Sequence, residues 1–187
     1  STTVTDEKGQ PTTYTFVLAQ GALKVASVSR AATATCLSAS VATTAYDASG
    51  WIDYTLDWNN VKDDYTYDAG GRLLKLTTAA GTSSALTQVN SWSGDLLQQT
   101  IYKDANGVDQ SRVNYTYVPT GFAKNRVATE VWVDLVSGGS RSVGYVYTFH
   151  GSGVLATMAV TESLPSGAAT TTFTYDTAGN LASISNP

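Results

Sequence analysis

Three aspartates are the first residues in the 187-residue sequence that could do acid or base chemistry. Asp47, Asp68 and Asp176 each follow a tyrosine and precede a glycine by three positions. A carboxylate pair that acts as general acid and general base needs two different environments. Because these aspartates share one sequence context, we expect them to cap turns. The sequence predicts no catalytic residue.

The single histidine and the single cysteine are the next candidates. A Ser-His-Asp triad would require His150, but the sequence has no Gly-x-Ser-x-Gly elbow. His150 takes the aspartate position of a degenerate repeat, which predicts a turn residue. Cys36 is expected to be a small packed apolar residue. With one histidine and one cysteine, the sequence predicts no zinc site and no cofactor.

Other polar and aromatic groups allow two interpretations each. The stretch YKDANGVDQ suggests a calcium loop, but it lacks EF-hand spacing, so Asn106-Gly107 is expected to form a two-residue hairpin turn. Arg72 could bind an anion, although pairing across strands on a polar face is favoured. Trp51 and Trp58 are candidate glycan-stacking platforms, and packing within a hydrophobic face is the alternative.

The elements that position these residues follow from a repeated phrase. Its fullest copies are Tyr65-Thr-Tyr67-Asp68-Ala-Gly-Gly71-Arg72-Leu73 and Phe173-Thr-Tyr175-Asp176-Thr-Ala-Gly179-Asn180-Leu181. A shorter copy begins at Tyr46-Asp47 and continues to Gly50. Degenerate copies are predicted at 115–122 and 147–154, and turns without the aromatic residue at 6–9 and 104–107. Self-similarity on this scale indicates a repeat architecture.

The phrase predicts a β-hairpin. Tyr65 and Tyr67 are two positions apart, so both rings project from one face of a strand. Asp68 bonds backbone amides in the turn, and Gly71 supplies a positive φ before Leu73 begins the returning strand. The fold class expected is all-β, with consecutive antiparallel hairpins in one long twisted sheet. One face would carry aromatic and aliphatic residues, and the other Thr, Ser, Gln and Asn.

Composition excludes some partners. The formal net charge is −4 and the 11 Lys and Arg residues are scattered, so no nucleic-acid partner is predicted. No apolar run is long enough for a membrane-spanning helix. The open edges of such a sheet favour self-association. Because the sequence opens on Ser1, we expect a segment whose targeting information lies elsewhere.

The phrase Tyr-Asp-x-x-Gly-Arg-Leu at 67–73 resembles the YD repeat of the Rhs family, and 175–181 resembles its Asn variant. The opening VTDEKGQPTTYTF and the terminal SISNP resemble the family's linking phrase. Members include bacterial polymorphic toxins, shell-forming subunits of insecticidal toxin complexes, and teneurins. The resemblance implies a curved β-ribbon that forms part of a spiral hollow shell. It also implies that 1–187 is a single repeat array, with clear repeats at 1–16, 44–76 and 171–187 and degenerate ones at 77–170.

The resemblance assigns roles as well. Shell-building roles are expected for Tyr46, Asp47, Gly50, Tyr67, Asp68, Gly71, Arg72, Leu73, Tyr175, Asp176, Gly179 and Leu181. Bacterial toxin members usually carry an Asp-Pro autocleavage segment, which this sequence lacks, so the toxin is not expected in this piece.

Three functions are considered for the chain. The leading hypothesis is a scaffold or shell segment of a secreted or surface bacterial protein, whose partners are the rest of the repeat shell and a toxin cargo. The alternative is an adhesion module that binds glycans or proteins through exposed aromatic residues. The third is an enzyme, which the sequence does not favour.

Overall fold

A computed structural model describes residues 1–32, 39–164 and 167–187. These ranges contain β-strands and turns, without a helix. Within them, therefore, no helical segment has the length and apolar character to cross a bilayer. Cys36 lies outside the described residues, so its predicted packing stays a prediction.

Fifteen strands make up the described fold. They are β1 Thr2–Thr5, β2 Pro11–Ala19, β3 Ala22–Arg30, β4 Ser40–Tyr46, β5 Ile52–Leu56, β6 Lys62–Tyr67, β7 Leu73–Thr78, β8 Leu86–Ser93, β9 Leu96–Lys103, β10 Asp109–Tyr117, β11 Val127–Asp134, β12 Ser140–Phe149, β13 Leu155–Leu164, β14 Gly167–Tyr175 and β15 Leu181–Ser185.

The strands are hydrogen-bonded in chain order within one open sheet. Short turns join most neighbours, and the registers along β1–β8 and along β10–β15 are antiparallel. This topology confirms the predicted all-β fold of consecutive antiparallel hairpins. The curvature and the spiral shell implied by the resemblance stay predictions.

Backbone proximity groups the residues into two units. Unit 1 contains 1–89 and 103–108, and unit 2 contains 90–102 and 109–187. In unit 1 the strands alternate in direction, so the turns after β2, β4 and β6 lie along one edge. The same reasoning places the turns after β10, β12 and β14 along one edge of unit 2. The single repeat array predicted from the sequence stays a prediction.

Unit 2 shows the predicted division into two faces. Tyr145 lies opposite Val160 and Tyr147 lies opposite Met158, which lies opposite Phe173 on the next strand. Directly opposed residues share a face, so these side chains form one aromatic and aliphatic surface. The other face carries cross-strand hydroxyl pairs with oxygen separations of 2.6–2.9 Å: Thr116–Thr129, Thr148–Thr157 and Thr161–Thr170.

Few side chains are fully enclosed. Among the described residues those classed as buried with apolar side chains are Ala85, Val113 and Ala123, and the buried polar ones are Asn90 and Thr100. The Thr100 hydroxyl donates to the Asn90 carbonyl oxygen at 2.9 Å, so this polar pair is satisfied. Stability in such a sheet must come mainly from strand pairing, turns and contacts between neighbouring hairpins.

Candidate functional site: a repeated aspartate turn

One aspartate-capped turn geometry recurs six times in the described residues. In each copy the aspartate N–H donates to the carbonyl of the fourth residue on, and the third residue's N–H donates to the aspartate carbonyl, at 2.8–3.1 Å. The aspartate Oδ1 also accepts from the N–H groups two and four residues on, at 2.8–3.0 Å. These aspartates are Asp6, Asp47, Asp57, Asp68, Asp104 and Asp176.

The third residue after each aspartate has a positive φ. It is glycine in five copies and Asn60, with φ of 59°, in the sixth. This is the three-residue hairpin loop, a type I turn followed by a left-handed residue that forms a bulge. The aspartate cap and the left-handed residue together explain the Asp-x-x-Gly spacing, because both sets of bonds are made within five residues.

The predicted repeat residues occupy equivalent positions around these turns. Tyr67 lies opposite Leu73, and Tyr175 lies opposite Leu181, and in both strand pairs a register shift comes just before the tyrosine. Tyr46 is placed in the same way, opposite Ile52. The aromatic residue before the aspartate thus pairs with the apolar residue that starts the returning strand.

Asp68 makes more contacts than its turn requires. Besides the two backbone N–H donors, Arg72 approaches Asp68 Oδ2 through Nε at 2.7 Å and through a terminal guanidinium nitrogen at 2.6 Å. These Arg72 bonds, with the backbone N–H of Arg72 contributing most, lower the pKa of Asp68 from 3.8. The ion pair is therefore made within the turn itself. In the Asn variant, the Asn180 side-chain amide donates to Asp176 Oδ2 at 3.2 Å.

Neighbouring turns contact each other through glycine. In unit 1 a Cβ placed on Gly71 would lie 2.5 Å from Cζ2 of Trp51, which follows the preceding turn on the same edge. The Trp51 ring also packs against Tyr67, with centroids 5.6 Å apart. Gly50 in turn lies against the Gln20 side chain, whose amide donates to the Ala48 carbonyl.

The same side-by-side contact occurs in unit 2. The Phe122 ring lies on Gly153, where an added Cβ would be 3.1 Å from the ring. His150 begins the turn at Gly153 with the repeated backbone bonds, which confirms that it is a turn residue. Its Nε2 lies 3.1 Å from the Tyr175 carbonyl oxygen of the next hairpin. Tyrosine hydroxyls add further links, since Tyr147 donates to the Val127 carbonyl at 2.9 Å.

Two sequence predictions about turns were wrong. Asn106-Gly107 is not a two-residue hairpin turn, because Gly107 N–H donates to Asp104 and Asn106 does not have a positive φ. The copy predicted at 115–122 does not form the repeated turn. Instead Val118 exchanges backbone bonds with Asn125 and Arg126 across a longer loop.

The turns that the sequence analysis did not predict include those at Asp57 and Gln20. Asp57 forms a full copy with Asn60 in the glycine position, a substitution that asparagine tolerates because it can adopt the left-handed conformation. Gln20 and Gly21 both have positive φ between β2 and β3, which is the two-residue hairpin turn.

The two candidate glycan tryptophans lie in different surroundings. Trp51 is half-buried against Gly71 and Tyr67. Trp58 lies in the turn at the opposite edge of unit 1, with the Arg30 guanidinium 4.4 Å from its ring centroid. Trp58 also lines a cleft of about 690 Å³ with Pro11 and Arg30. The two rings therefore do not form one platform, and the cleft of about 690 Å³ is lined by Trp58.

Within the described ranges, no group of three or more His, Cys, Asp or Glu residues is placed to hold a metal ion.

Comparison with known proteins identifies the fold. No protein-family model and no curated protein sequence matches the chain. The crystal structure of TcdB2-TccC3 without its hypervariable C-terminal region is 15% identical, with a TM-score of 0.64 over 98% of this chain. A second crystal structure of TcdB2-TccC3 is 13% identical, with a TM-score of 0.51 over 95%.

The chain shares its fold with TcdB2-TccC3. This likeness confirms the YD-repeat fold that the Tyr-Asp-x-x-Gly phrases predicted. The chain spans about 9% and 11% of the length of those two chains. The match therefore concerns the fold of one segment of those proteins.

Proposed function

We propose that this chain is a structural segment of a larger Rhs/YD-repeat protein, where it forms part of a shell or scaffold wall. The observation that supports this proposal is the role of the repeated aspartates in their turns. Each aspartate Oδ1 is occupied by two backbone N–H donors, so the recurring carboxylates serve the turns. The proposed role is structural rather than catalytic.

The contacts between hairpins support this role. A wall needs neighbouring units that hold each other in register, and Trp51 on Gly71 and Phe122 on Gly153 do this within their units. The likeness to TcdB2-TccC3 supports the same proposal at the level of the fold. In the proposed context the parent is a secreted or surface bacterial protein, and its shell encloses or delivers a toxin.

Electron microscopy of the intact gene product tests the proposal. We expect a hollow particle with this segment in its wall, and a C-terminal cargo that resists protease until the wall is opened. A Gly71→Val variant should open the wall and expose the cargo, because a Cβ there overlaps Trp51. An intact protein that forms no hollow particle would overturn the proposal.

A second candidate function is adhesion through an exposed aromatic residue. The cleft beside Trp58 and Arg30 is the observation that favours it. If this candidate is right, Trp58→Ala should abolish binding on a glycan array while Trp51→Phe, which retains a ring against Gly71, leaves it unchanged. Absence of any Trp58-dependent signal would remove this candidate and leave the scaffold proposal untouched.

A further inference from the structure

A half-buried carboxylate lies on the aromatic face of unit 2. Glu130, on β11, is directly opposite Tyr115 on β10 and Val143 on β12. Tyr145 and Tyr147 follow Val143 at alternate positions, so they project from the same face. We call Glu130, Tyr115, Tyr145 and Tyr147 the Glu130 cluster. All four side chains are half-buried.

The hydroxyls of the cluster are largely engaged. Tyr145 donates to Glu130 Oε1 at 3.2 Å, and Tyr147 donates to the Val127 carbonyl at 2.9 Å. These hydrogen bonds fix the positions of the Tyr145 and Tyr147 rings on the aromatic face, and the Tyr145 hydroxyl contacts the carboxylate directly.

Glu130 itself has no cationic partner among the described residues, and the guanidinium beside the cluster, that of Arg126, lies over the Tyr147 ring. It is 5.5 Å from the Tyr147 centroid, and the Arg141 guanidinium is 5.2 Å from the Trp132 centroid. A half-buried carboxylate that accepts one hydrogen bond has lost part of its hydration. A bound cation would therefore stabilise its charge.

The pKa values of the neighbouring tyrosines are consistent with a negative charge at Glu130. Burial, with the charge of Glu130 as a further cause, raises the pKa values of Tyr115 and Tyr145 above 10.0. Glu162 lies in the same cross-strand row as Glu130, with Val143 between them. Two strand spacings place the backbones of Glu130 and Glu162 about 10 Å apart, so both side chains add negative potential over one aromatic surface.

We propose that the Glu130 cluster binds an organic ammonium ion. Aromatic faces attract such cations through the ring quadrupole, and a central carboxylate supplies the opposite charge. The ion could come from a small quaternary amine or from a lysine side chain of a partner protein, since both present the same chemistry. This site goes beyond the scaffold proposal and does not depend on it.

A titration with matched probes tests the site. Choline is compared with 3,3-dimethylbutan-1-ol, its uncharged isostere, and with N-acetyl-lysine methylamide, each followed by NMR at up to about 50 mM, a range that detects millimolar affinity. We expect an ammonium probe to bind at least about tenfold more tightly than the uncharged alcohol. The tighter of the two ammonium probes identifies the source of the ion.

Variants assign the binding to the cluster. Glu130→Gln should weaken ammonium binding about tenfold, whereas Glu7→Gln, an equal charge change at an exposed turn of unit 1, should leave it unchanged. Tyr145→Phe keeps the ring and should retain binding, and Tyr145→Leu should lose it. Circular dichroism checks that each variant folds.

Three outcomes would overturn the site. They are no binding of either ammonium probe, equal binding of choline and the uncharged alcohol, and unchanged affinity in both Glu130→Gln and Tyr145→Leu. Because two different side chains are varied, a folding failure in one variant leaves the other to decide.

Discussion

The turns at 68–72 and 104–108 have the same backbone bonds and different surroundings. In both, the aspartate Oδ1 accepts two N–H bonds, and the glycine φ values are 84° and 80°. At Gly71 an added Cβ would overlap Trp51, whereas no atom lies within 4 Å of the corresponding position at Gly107. One local motif is thus used both as a plain turn and as a contact between hairpins.

The difference shows how one repeat phrase serves two purposes. The turn itself is made by bonds within five residues, so it tolerates any neighbour. The contact at Gly71 depends on a tryptophan that follows another turn on the same edge. Variants that separate backbone strain from overlap can therefore break or sharpen the comparison.

The largest effect is expected from adding a methyl group to each glycine. Gly71→Ala should cost about 2–5 kcal/mol, since the left-handed conformation costs about 1–2 and overlap with Trp51 adds about 1–3. Gly107→Ala is the matched control and should cost about 1–2 kcal/mol, because strain acts there alone. Urea unfolding measures both. Equal losses at the two glycines would show that Trp51 does not limit the space at Gly71.

The next effect is a coupling between the two residues in contact. Trp51→Ala should lower the free energy of unfolding by about 2 kcal/mol, because the packing contacts of a half-buried indole ring are lost. In that background Gly71→Ala should cost about 1–3 kcal/mol less than it does alone, because the overlap is gone. A double-mutant cycle gives this coupling energy. Strict additivity would contradict the contact.

A smaller effect is expected from acid. The pKa of Asp68 is lowered from 3.8 when the chain folds, so its contribution is present above that value and is lost as the pH falls through the lower folded value. Asp68→Asn should therefore reduce the fall in melting temperature between about pH 4 and pH 2. Carbon-detected NMR titration of the Asp68 carboxyl gives its pKa directly. A value at or above 3.8 would refute the assignment.

The smallest effect is expected from the ion pair itself. Arg72→Met keeps the apolar stem and should leave the free energy of unfolding almost unchanged, because exposed pairs contribute little. The same change should raise the pKa of Asp68 back towards 3.8. A pKa that does not move would mean that the backbone N–H donors alone lower it. Asp176, with Asn180 in place of the arginine, is the natural control.

Local turn chemistry made much of the fold predictable. The spacing of Tyr65 and Tyr67 predicted a strand, which the register of β6 and β7 confirms, and the phrases at Asp68 and Asp176 predicted the turns. The turn at Asp57 was not predicted because the repeated phrase has glycine at its third position after the aspartate. Asparagine also adopts a positive φ and takes that position here. Asn106-Gly107 was assigned wrongly because the dipeptide alone fits two hairpin turns, and the aspartate before it selects the longer one.

The surroundings of the site were less predictable. Arg72 was expected to pair across strands, but two of its guanidinium nitrogens approach the single oxygen Oδ2 of Asp68 inside the turn. No sequence motif marks the Glu130 cluster, because its members come from three strands. Only the register of β10, β11 and β12 brings them together on one face.

The sequence by itself determined the turns, because every bond that defines an Asp-x-x-Gly turn joins atoms no more than four residues apart. It also determined the alternation of faces, because side chains on a strand project with a period of two. The tertiary structure decided which glycine has no room for a side chain and which carboxylate lies among aromatic rings. Those properties depend on atoms from other strands, whose positions are fixed only when the hairpins pair.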